Sequence, residues 1–139
     1  MHYINLHHIL DFYVNPSDII GSVYDAETVE DILLVGTNQG LFQYRYDSTY
    51  GFINPQIIKG SQGQIWDLTK LDGELLCGHN NGTYKVKEDR LEQISGINGG
   101  FEIKEINHKG QKFLLQSTYS LFVLYHKTPS GWKFSNTIK

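Results

Sequence analysis

The stretch Gly36-Thr37-Asn38-Gln39-Gly40-Leu41-Phe42 decides the fold, because the chain contains two further versions of it. The second version starts 42 residues later and occupies residues 78–84, and the third starts 38 residues after that and occupies residues 116–122. An apolar triplet precedes each version, and an alternating apolar stretch follows it. A strand, a tight polar turn and a second strand are typical of a β-hairpin. A hairpin that recurs at about 40 residues predicts a repeat architecture.

The match extends to the other strands of each copy. Residues 23–25, 65–67 and 103–105 begin a first strand, and Gly51 and Gly131, 80 residues apart, fall at the start of a fourth. Four short strands in about 40 residues indicate a propeller blade. We therefore predict an all-β fold of three four-stranded, propeller-type blades, an incomplete propeller or a fragment of one. The blades are expected at residues 17–59, 60–98 and 99–139, after one or two extra strands in residues 1–16 that could be the remnant of a preceding blade.

These spacings also make predictions for single residues. Leu34, Leu76 and Leu114 are expected to be equivalent and buried in the second strand of each copy. Gly40 and Gly82 end the hairpin turns, where a positive φ favours glycine. Ser120 takes the same place in the third copy, so that turn is expected to have a different backbone shape.

Composition excludes several functional classes. The chain has 139 residues, a formal net charge of −3 and no basic block, so no direct contact with nucleic acid is expected. It has no run of roughly 18 apolar residues, so no membrane insertion is expected. Its one cysteine, Cys77, follows two leucines and is expected to be a small buried residue. The histidines lack companion ligands at metal spacing, so no metal or other cofactor is predicted.

The best copy, residues 33–42, places Gly-Thr after an apolar strand and Gly-Leu-Phe after the turn. This pattern resembles the two-component regulator propeller repeat, although that family usually has Trp where Leu34, Leu76 and Leu114 stand here. The resemblance covers residues 17–139. It implies a non-enzymatic, ligand-sensing propeller segment of a bacterial two-component or transcriptional regulator, with signalling domains elsewhere in a longer protein. The compartment would be periplasmic in a hybrid histidine kinase and cytoplasmic in a soluble regulator. A protein-interaction scaffold is the alternative, and a glycosidase or lyase is a third hypothesis.

Acids and aromatic residues are the candidate ligand contacts. Asp25, Asp67 and Glu105 recur at one position of the first strand, and they would line a central channel if that strand were innermost. Local hydrogen bonds at strand ends are the alternative role. Equivalent acids argue against catalysis, which needs an acid and a base in different environments. Tyr24 and Trp66 could stack on a carbohydrate or another small ligand, as could three further aromatic residues, Phe101, Tyr119 and Trp132. Core packing is their alternative role.

The last expectation concerns the ends of the repeat array. Closed propellers typically have about four to eight blades, so three blades leave two apolar faces uncovered. We expect either further blades of the same protein or self-association through the terminal blades.

Overall fold

The computed structural model describes residues 20–139, which contain strands and turns but no helix. The strands form three antiparallel sheets of four, and within each sheet the strands neighbour one another in chain order. The all-β prediction is confirmed, whereas the arrangement of these sheets as propeller blades stays a prediction. The extra strands predicted in residues 1–16 lie outside the described residues. Within residues 20–139, no helix is long and apolar enough to cross a membrane.

Each sheet falls within one of the three copies in the sequence. The first sheet contains β1 (Val23–Val29), β2 (Ile32–Thr37), β3 (Leu41–Asp47) and β4 (Gly51–Ile57). The second contains β5 (Ile65–Leu71), β6 (Glu74–His79), β7 (Gly82–Lys87) and β8 (Arg90–Ser95). The third contains β9 (Ile103–His108), β10 (Gln111–Ser117), β11 (Phe122–Thr128) and β12 (Gly131–Ile138). The chain divides into two compact units, Met1–Ile65 and Trp66–Lys139.

Two short turns in the second unit show why the strands begin and end where they do. Asp72 and Gly73 join β5 to β6 with φ values of 50° and 77°, and Lys109 and Gly110 join β9 to β10 with the same two values. Positive φ at both central residues suits the right-handed twist of paired strands.

The central hairpins show that the third copy is displaced by one residue from the predicted spacing. In the first hairpin the Thr37 amide donates to the Gly40 carbonyl over 2.9 Å, and in the third the Thr118 amide donates to the Leu121 carbonyl over 3.0 Å. In the second hairpin, His79 pairs with Gly82. The two-residue turns are therefore Asn38-Gln39, Asn80-Asn81 and Tyr119-Ser120. The third hairpin follows the second at a spacing of 39 residues, where the sequence had suggested 38.

This shift corrects the predicted equivalence of three leucines. Leu34, Leu76 and Leu114 are all buried, as predicted, with exposed fractions of 4%, 0% and 0%. Counted from its turn, however, Leu114 matches Leu75, and the match of Leu76 is the half-buried Leu115. A shift of one residue moves a side chain to the opposite face of a sheet. The prediction of burial is confirmed, and the prediction of equivalence is wrong for Leu114.

The glycines that follow the first two turns have the predicted backbone. Gly40 has φ of 150° and Gly82 has φ of 152°, while neither Ser120 nor Leu121 has a positive φ. Space is a second reason for these glycines, because a Cβ added at Gly82 would lie 2.5 Å from the Ser95 carbonyl oxygen. The third turn thus differs in backbone shape, as predicted, although Leu121 and not Ser120 occupies the matching place.

The first unit has its own core on one face of its sheet. Leu33 and Val35 of β2 pack with Phe42 and Tyr44 of β3 and with Ile20. These are alternate residues along each strand, as expected for side chains that share a face. Burial raises the pKa of Tyr44 to about 12, so its hydroxyl stays protonated at neutral pH.

Both sheets of the second unit contribute side chains to one core. Its buried apolar side chains are Leu76, Ile103, Leu114, Val123, Tyr125 and Trp132. Gln116, only 1% exposed, accepts hydrogen bonds from the Thr83 hydroxyl over 2.9 Å and from the Tyr125 hydroxyl over 2.6 Å. Because Thr83 belongs to β7 and Gln116 to β10, this buried amide joins the second sheet to the third. Cys77 is fully buried, as predicted.

Candidate functional site: an aromatic and amide cluster

The candidate site is a group of four side chains in the second unit, hereafter the aromatic–amide cluster. It consists of Trp66 from β5, Asn80 from the β6–β7 turn, Phe101 from the link between β8 and β9, and Tyr119 from the β10–β11 turn. Asn80 and Tyr119 are exposed, whereas Trp66 and Phe101 are half-buried. Four separate segments therefore bring their side chains to one place on the surface of this unit.

The side chains of the cluster contact one another in sequence. The Trp66 ring lies 5.2 Å from the Phe101 ring, and the Phe101 ring lies 4.9 Å from the Tyr119 ring, both in edge-to-face geometry. Asn80 connects Tyr119 to Trp66, because its Oδ1 accepts a hydrogen bond from the Tyr119 hydroxyl over 2.6 Å and one from the Trp66 indole nitrogen over 3.4 Å. Edge-to-face contacts of this kind are favourable beyond the area they bury, by about 0.5–1.5 kcal/mol.

The backbone of the Gly-rich link fixes these positions. Gly99 donates its amide hydrogen to the Asn80 carbonyl over 2.8 Å, and Gly100 donates to the His79 carbonyl over 3.0 Å. A Cβ added at Gly99 would lie 2.5 Å from Cδ2 of Tyr119, so the absence of a side chain lets the Tyr119 ring rest on the link. The link thus holds Asn80 by a backbone hydrogen bond and Tyr119 by the close contact of its ring with Gly99.

The cluster is polar without carrying charge. It offers three aromatic rings, a phenol hydroxyl and a primary amide, but no carboxylate, amine or imidazole. The amide nitrogen of Asn80 donates to no group within residues 20–139, so it can donate to a ligand. Beside it, Tyr84 donates its hydroxyl hydrogen to Oδ1 of Asn81 over 2.7 Å. Burial is the main cause that raises the pKa of Tyr84, and the charge of Cys77 raises it further, while a hydrogen bond from Gln93 lowers it. The Tyr84 hydroxyl therefore remains a neutral donor.

The predicted acids make local contacts. Oδ1 of Asp25 accepts from the Ala26 amide over 2.8 Å, and Oδ2 of Asp67 accepts from the Thr69 hydroxyl. Glu105 lies 3.9 Å from Nζ of Lys112. These contacts agree with the alternative role in local hydrogen bonding, and the role of the three acids in ligand binding stays a prediction.

Strand register corrects the proposed equivalence of Glu105 to Asp25. Asp25 pairs with Gly36, whose match in the third sheet is Ser117. The amide of Ser117 donates to the carbonyl of Glu102 over 3.3 Å, whereas Glu105 pairs with Leu114. Glu102 therefore stands where Glu105 was expected, because the third copy runs at a different spacing.

The predicted aromatic residues differ in their surroundings. Trp132 is fully buried in the core of the second unit, which agrees with the alternative role in packing. Tyr24, on β1 of the first unit, is 52% exposed. Of the aromatic residues predicted to contact a ligand, Trp66, Phe101 and Tyr119 belong to the aromatic–amide cluster.

Sequence reasoning did not identify Asn80. Its position in the hairpin turn could have identified it. Once the correct spacing is used, the first turn residues of the three hairpins are Asn38, Asn80 and Tyr119. Asn38 uses its Oδ1 for the Ser22 amide, over 2.9 Å, while Asn80 uses its Oδ1 for two aromatic side chains.

No protein-family model matches the chain, and neither does any curated protein. In the part of the chain from residue 20 onward, no three His, Cys, Asp or Glu side chains are grouped so that they could hold a metal ion.

Proposed function

We propose that this protein is a binding module for neutral carbohydrate, and that the aromatic–amide cluster holds the sugar. The observation that carries this proposal is the shared hydrogen bonding of Trp66 and Tyr119 to one exposed amide, Asn80. Partly exposed aromatic rings offer apolar faces to the C–H surface of a sugar. The amide and the phenol hydroxyl supply the few placed polar groups that fix orientation.

The absence of charge in the cluster favours neutral sugars over phosphorylated or acidic ligands. Anion sites use Arg, Lys or clustered backbone amides, and none of the four cluster side chains is of that type. Hydroxyl groups, by contrast, both donate and accept, so a sugar can accept from the Asn80 amide nitrogen and donate to the Tyr119 phenol oxygen, while Oδ1 of Asn80 already accepts from Tyr119 and Trp66. The cluster has no carboxylate or imidazole for general acid–base chemistry, so we propose binding without catalysis.

A sensing role follows from the resemblance to regulator propeller repeats. In that role, sugar binding by the cluster would be the input, and a downstream domain of a bacterial regulator would receive it. The cluster suits such a device because it joins segments of two sheets, so a ligand that contacts all four residues would bias their relative arrangement.

The test is a binding screen of the purified chain against neutral oligosaccharides, with isothermal titration calorimetry on any that bind. We expect Asn80→Ala to weaken binding at least tenfold, since the loss leaves two aromatic polar groups without their acceptor. Tyr119→Phe removes only one hydroxyl and should weaken binding by about three- to tenfold.

The matched control is Tyr50→Phe, which removes the hydroxyl of a tyrosine that is 69% exposed in the β3–β4 turn of the other unit. This control should bind like the unaltered chain. Binding that is unchanged in both cluster variants would place the sugar elsewhere and refute the proposed site. The lack of binding to any neutral oligosaccharide would refute the proposed ligand class.

A further inference from the structure

A second set of neutral polar side chains adjoins the aromatic–amide cluster, and we call it the Tyr84 group. It consists of Asn81 from the β6–β7 turn, Tyr84 from β7 and Gln93 from β8. Asn81 and Gln93 are exposed, and Tyr84 is half-buried. Asn81 directly follows Asn80 in the turn, and the Cα atoms of consecutive residues are only about 3.8 Å apart. The Tyr84 group is therefore continuous with the proposed sugar site.

The two neighbouring asparagines of this turn are held in the same way. Oδ1 of Asn80 accepts from the Tyr119 hydroxyl over 2.6 Å, and Oδ1 of Asn81 accepts from the Tyr84 hydroxyl over 2.7 Å. Neither amide nitrogen donates to a group within residues 20–139, so each can donate to a ligand. Gln93 donates to the Tyr84 oxygen over 3.5 Å, and its Oε1 accepts from no group in the same range. The turn thus offers two oriented amide donors, with an acceptor beside the second.

The backbone and a buried histidine fix the Tyr84 group before any ligand is present. Nδ1 of His79 accepts from the Asn81 backbone amide over 3.1 Å, and the His79 ring lies 5.9 Å from the Tyr84 ring in edge-to-face geometry. Gly82 makes room for Gln93, since a Cβ there would lie 2.8 Å from Nε2 of that side chain. Groups that are already ordered lose less conformational entropy when they bind a ligand.

The repeated fold does not require this arrangement. Counted from the turns, the residues that match Tyr84 are Phe42 in the first hairpin and Val123 in the third. Both are buried and neither has a hydroxyl, yet both hairpins form. The phenol of Tyr84 and its bond to Asn81 therefore belong to the second hairpin alone among the three, and this is the hairpin that carries Asn80.

We infer that the Tyr84 group is a second sugar subsite, and that the chain binds a neutral oligosaccharide which spans both sets of side chains. This inference rests on the proposed function. One sugar residue occupies the aromatic–amide cluster, and the next accepts from the amide nitrogen of Asn81 and donates to Oε1 of Gln93. Sugar hydroxyls can do both, and all three side chains of the Tyr84 group are uncharged, as the cluster is.

The test is isothermal titration calorimetry of the full chain with three sugar series. The probes are glucose, maltose and maltotriose; glucose, cellobiose and cellotriose; and xylose, xylobiose and xylotriose, with each monosaccharide measured by competition. In a series that binds, we expect the disaccharide to bind at least about tenfold more tightly than the monosaccharide, because it adds the hydrogen bonds of the second subsite. Equal affinities along every bound series would overturn the second subsite and leave the sugar site at the cluster intact. The lack of binding by any probe would overturn both.

Substitutions assign the gain with length to the Tyr84 group. Asn81→Ala should reduce the ratio of disaccharide to monosaccharide affinity to less than about threefold, and Tyr84→Phe should lower the ratio by about three- to tenfold. Asn80→Ala should instead weaken both sugars. Because the ratio compares two sugars on one variant, a partial loss of folded protein does not change it.

The matched control is Gln56→Ala, which removes an exposed side-chain amide from β4 of the other unit. This control should keep the full ratio of the unaltered chain. A ratio that is unchanged in both Asn81→Ala and Tyr84→Phe would overturn the inference, as would a ratio that falls equally in Gln56→Ala.

Discussion

Glu74 lies between two lysines, and one of them is buried. Its Oε1 lies 3.2 Å from Nζ of Lys85, whose side chain is 4% exposed, and its Oε2 lies 2.9 Å from Nζ of Lys127. Gly131 makes room for this group, since a Cβ there would lie 2.6 Å from Nζ of Lys85 and 2.7 Å from Oε1 of Glu74. Burial alone would raise the pKa of Glu74, but hydrogen bonds from Lys127 and Lys85 and their charges lower it overall.

Glu74→Gln should destabilise the chain by about 3–5 kcal/mol, because it leaves Lys85 buried without an opposite charge. Chemical denaturation at neutral pH measures this. Glu92→Gln is the matched control, since Glu92 lies 3.1 Å from Lys87 but both side chains are at least 40% exposed. The control should change stability little. Equal effects of the two substitutions would contradict the importance of burial.

The same residue predicts a dependence of stability on pH. Because the folded-state pKa of Glu74 lies below its ordinary value of 4.5, its contribution is complete above that value. The contribution is lost as the pH falls through the lowered folded-state pKa. The difference in unfolding free energy between the unaltered chain and Glu74→Gln should therefore shrink as the solution is acidified below that ordinary value. A difference that grew on acidification would reverse the predicted sign.

At the scale of elements, the hairpins account for both the successes and the error of the sequence-based prediction. Strands and turns were predictable because apolar alternation and glycines mark them locally. The spacing of the third copy was not, because Ser120 and Leu121 both lack the conformational signature that glycine gives the other two turns. Strand pairing depends on hydrogen bonds between residues that are distant in sequence. A one-residue error in the alignment is therefore not visible in the local sequence, although it exchanges the two faces of the sheet.

Gly82 provides the test at this scale. In Gly82→Ala the new Cβ would lie on a backbone with φ of 152° and would contact the Ser95 carbonyl. In Gly110→Ala, where φ is 77°, the new Cβ would have no neighbour within 4 Å. The second substitution should cost about 1–2 kcal/mol for the backbone alone. The first should cost roughly 1–3 kcal/mol more, because the crowded Cβ displaces its surroundings. Thermal or chemical unfolding of both variants would show whether close approach, and not only φ, selects glycine at the hairpin.

At the scale of the whole molecule, the candidate site depends on contacts that are distant in sequence. Trp66 was a predicted ligand contact because its residue type and its place on a first strand are visible locally. Its partners Asn80, Phe101 and Tyr119 come from two turns and a link, and only the packing of the second and third sheets brings them together. Phe101 and Tyr119 were recognised as aromatic candidates, whereas Asn80 has no distinguishing feature until the turns are superimposed.

The chain has two tryptophans, which allows the central claim of sugar binding at the cluster to be measured at one residue. In the Trp132→Phe variant, all tryptophan emission comes from Trp66. This replacement breaks no hydrogen bond, because the Trp132 indole nitrogen is buried without a partner in residues 20–139, and it keeps an aromatic ring in the core. Titration with a neutral oligosaccharide that binds the unaltered chain should change the emission of Trp66 in a saturable manner, with the dissociation constant found by calorimetry. The same titration in a Trp132→Phe, Asn80→Ala variant should show at least tenfold weaker binding. Sugar binding with no change in Trp66 emission would contradict the proposed site.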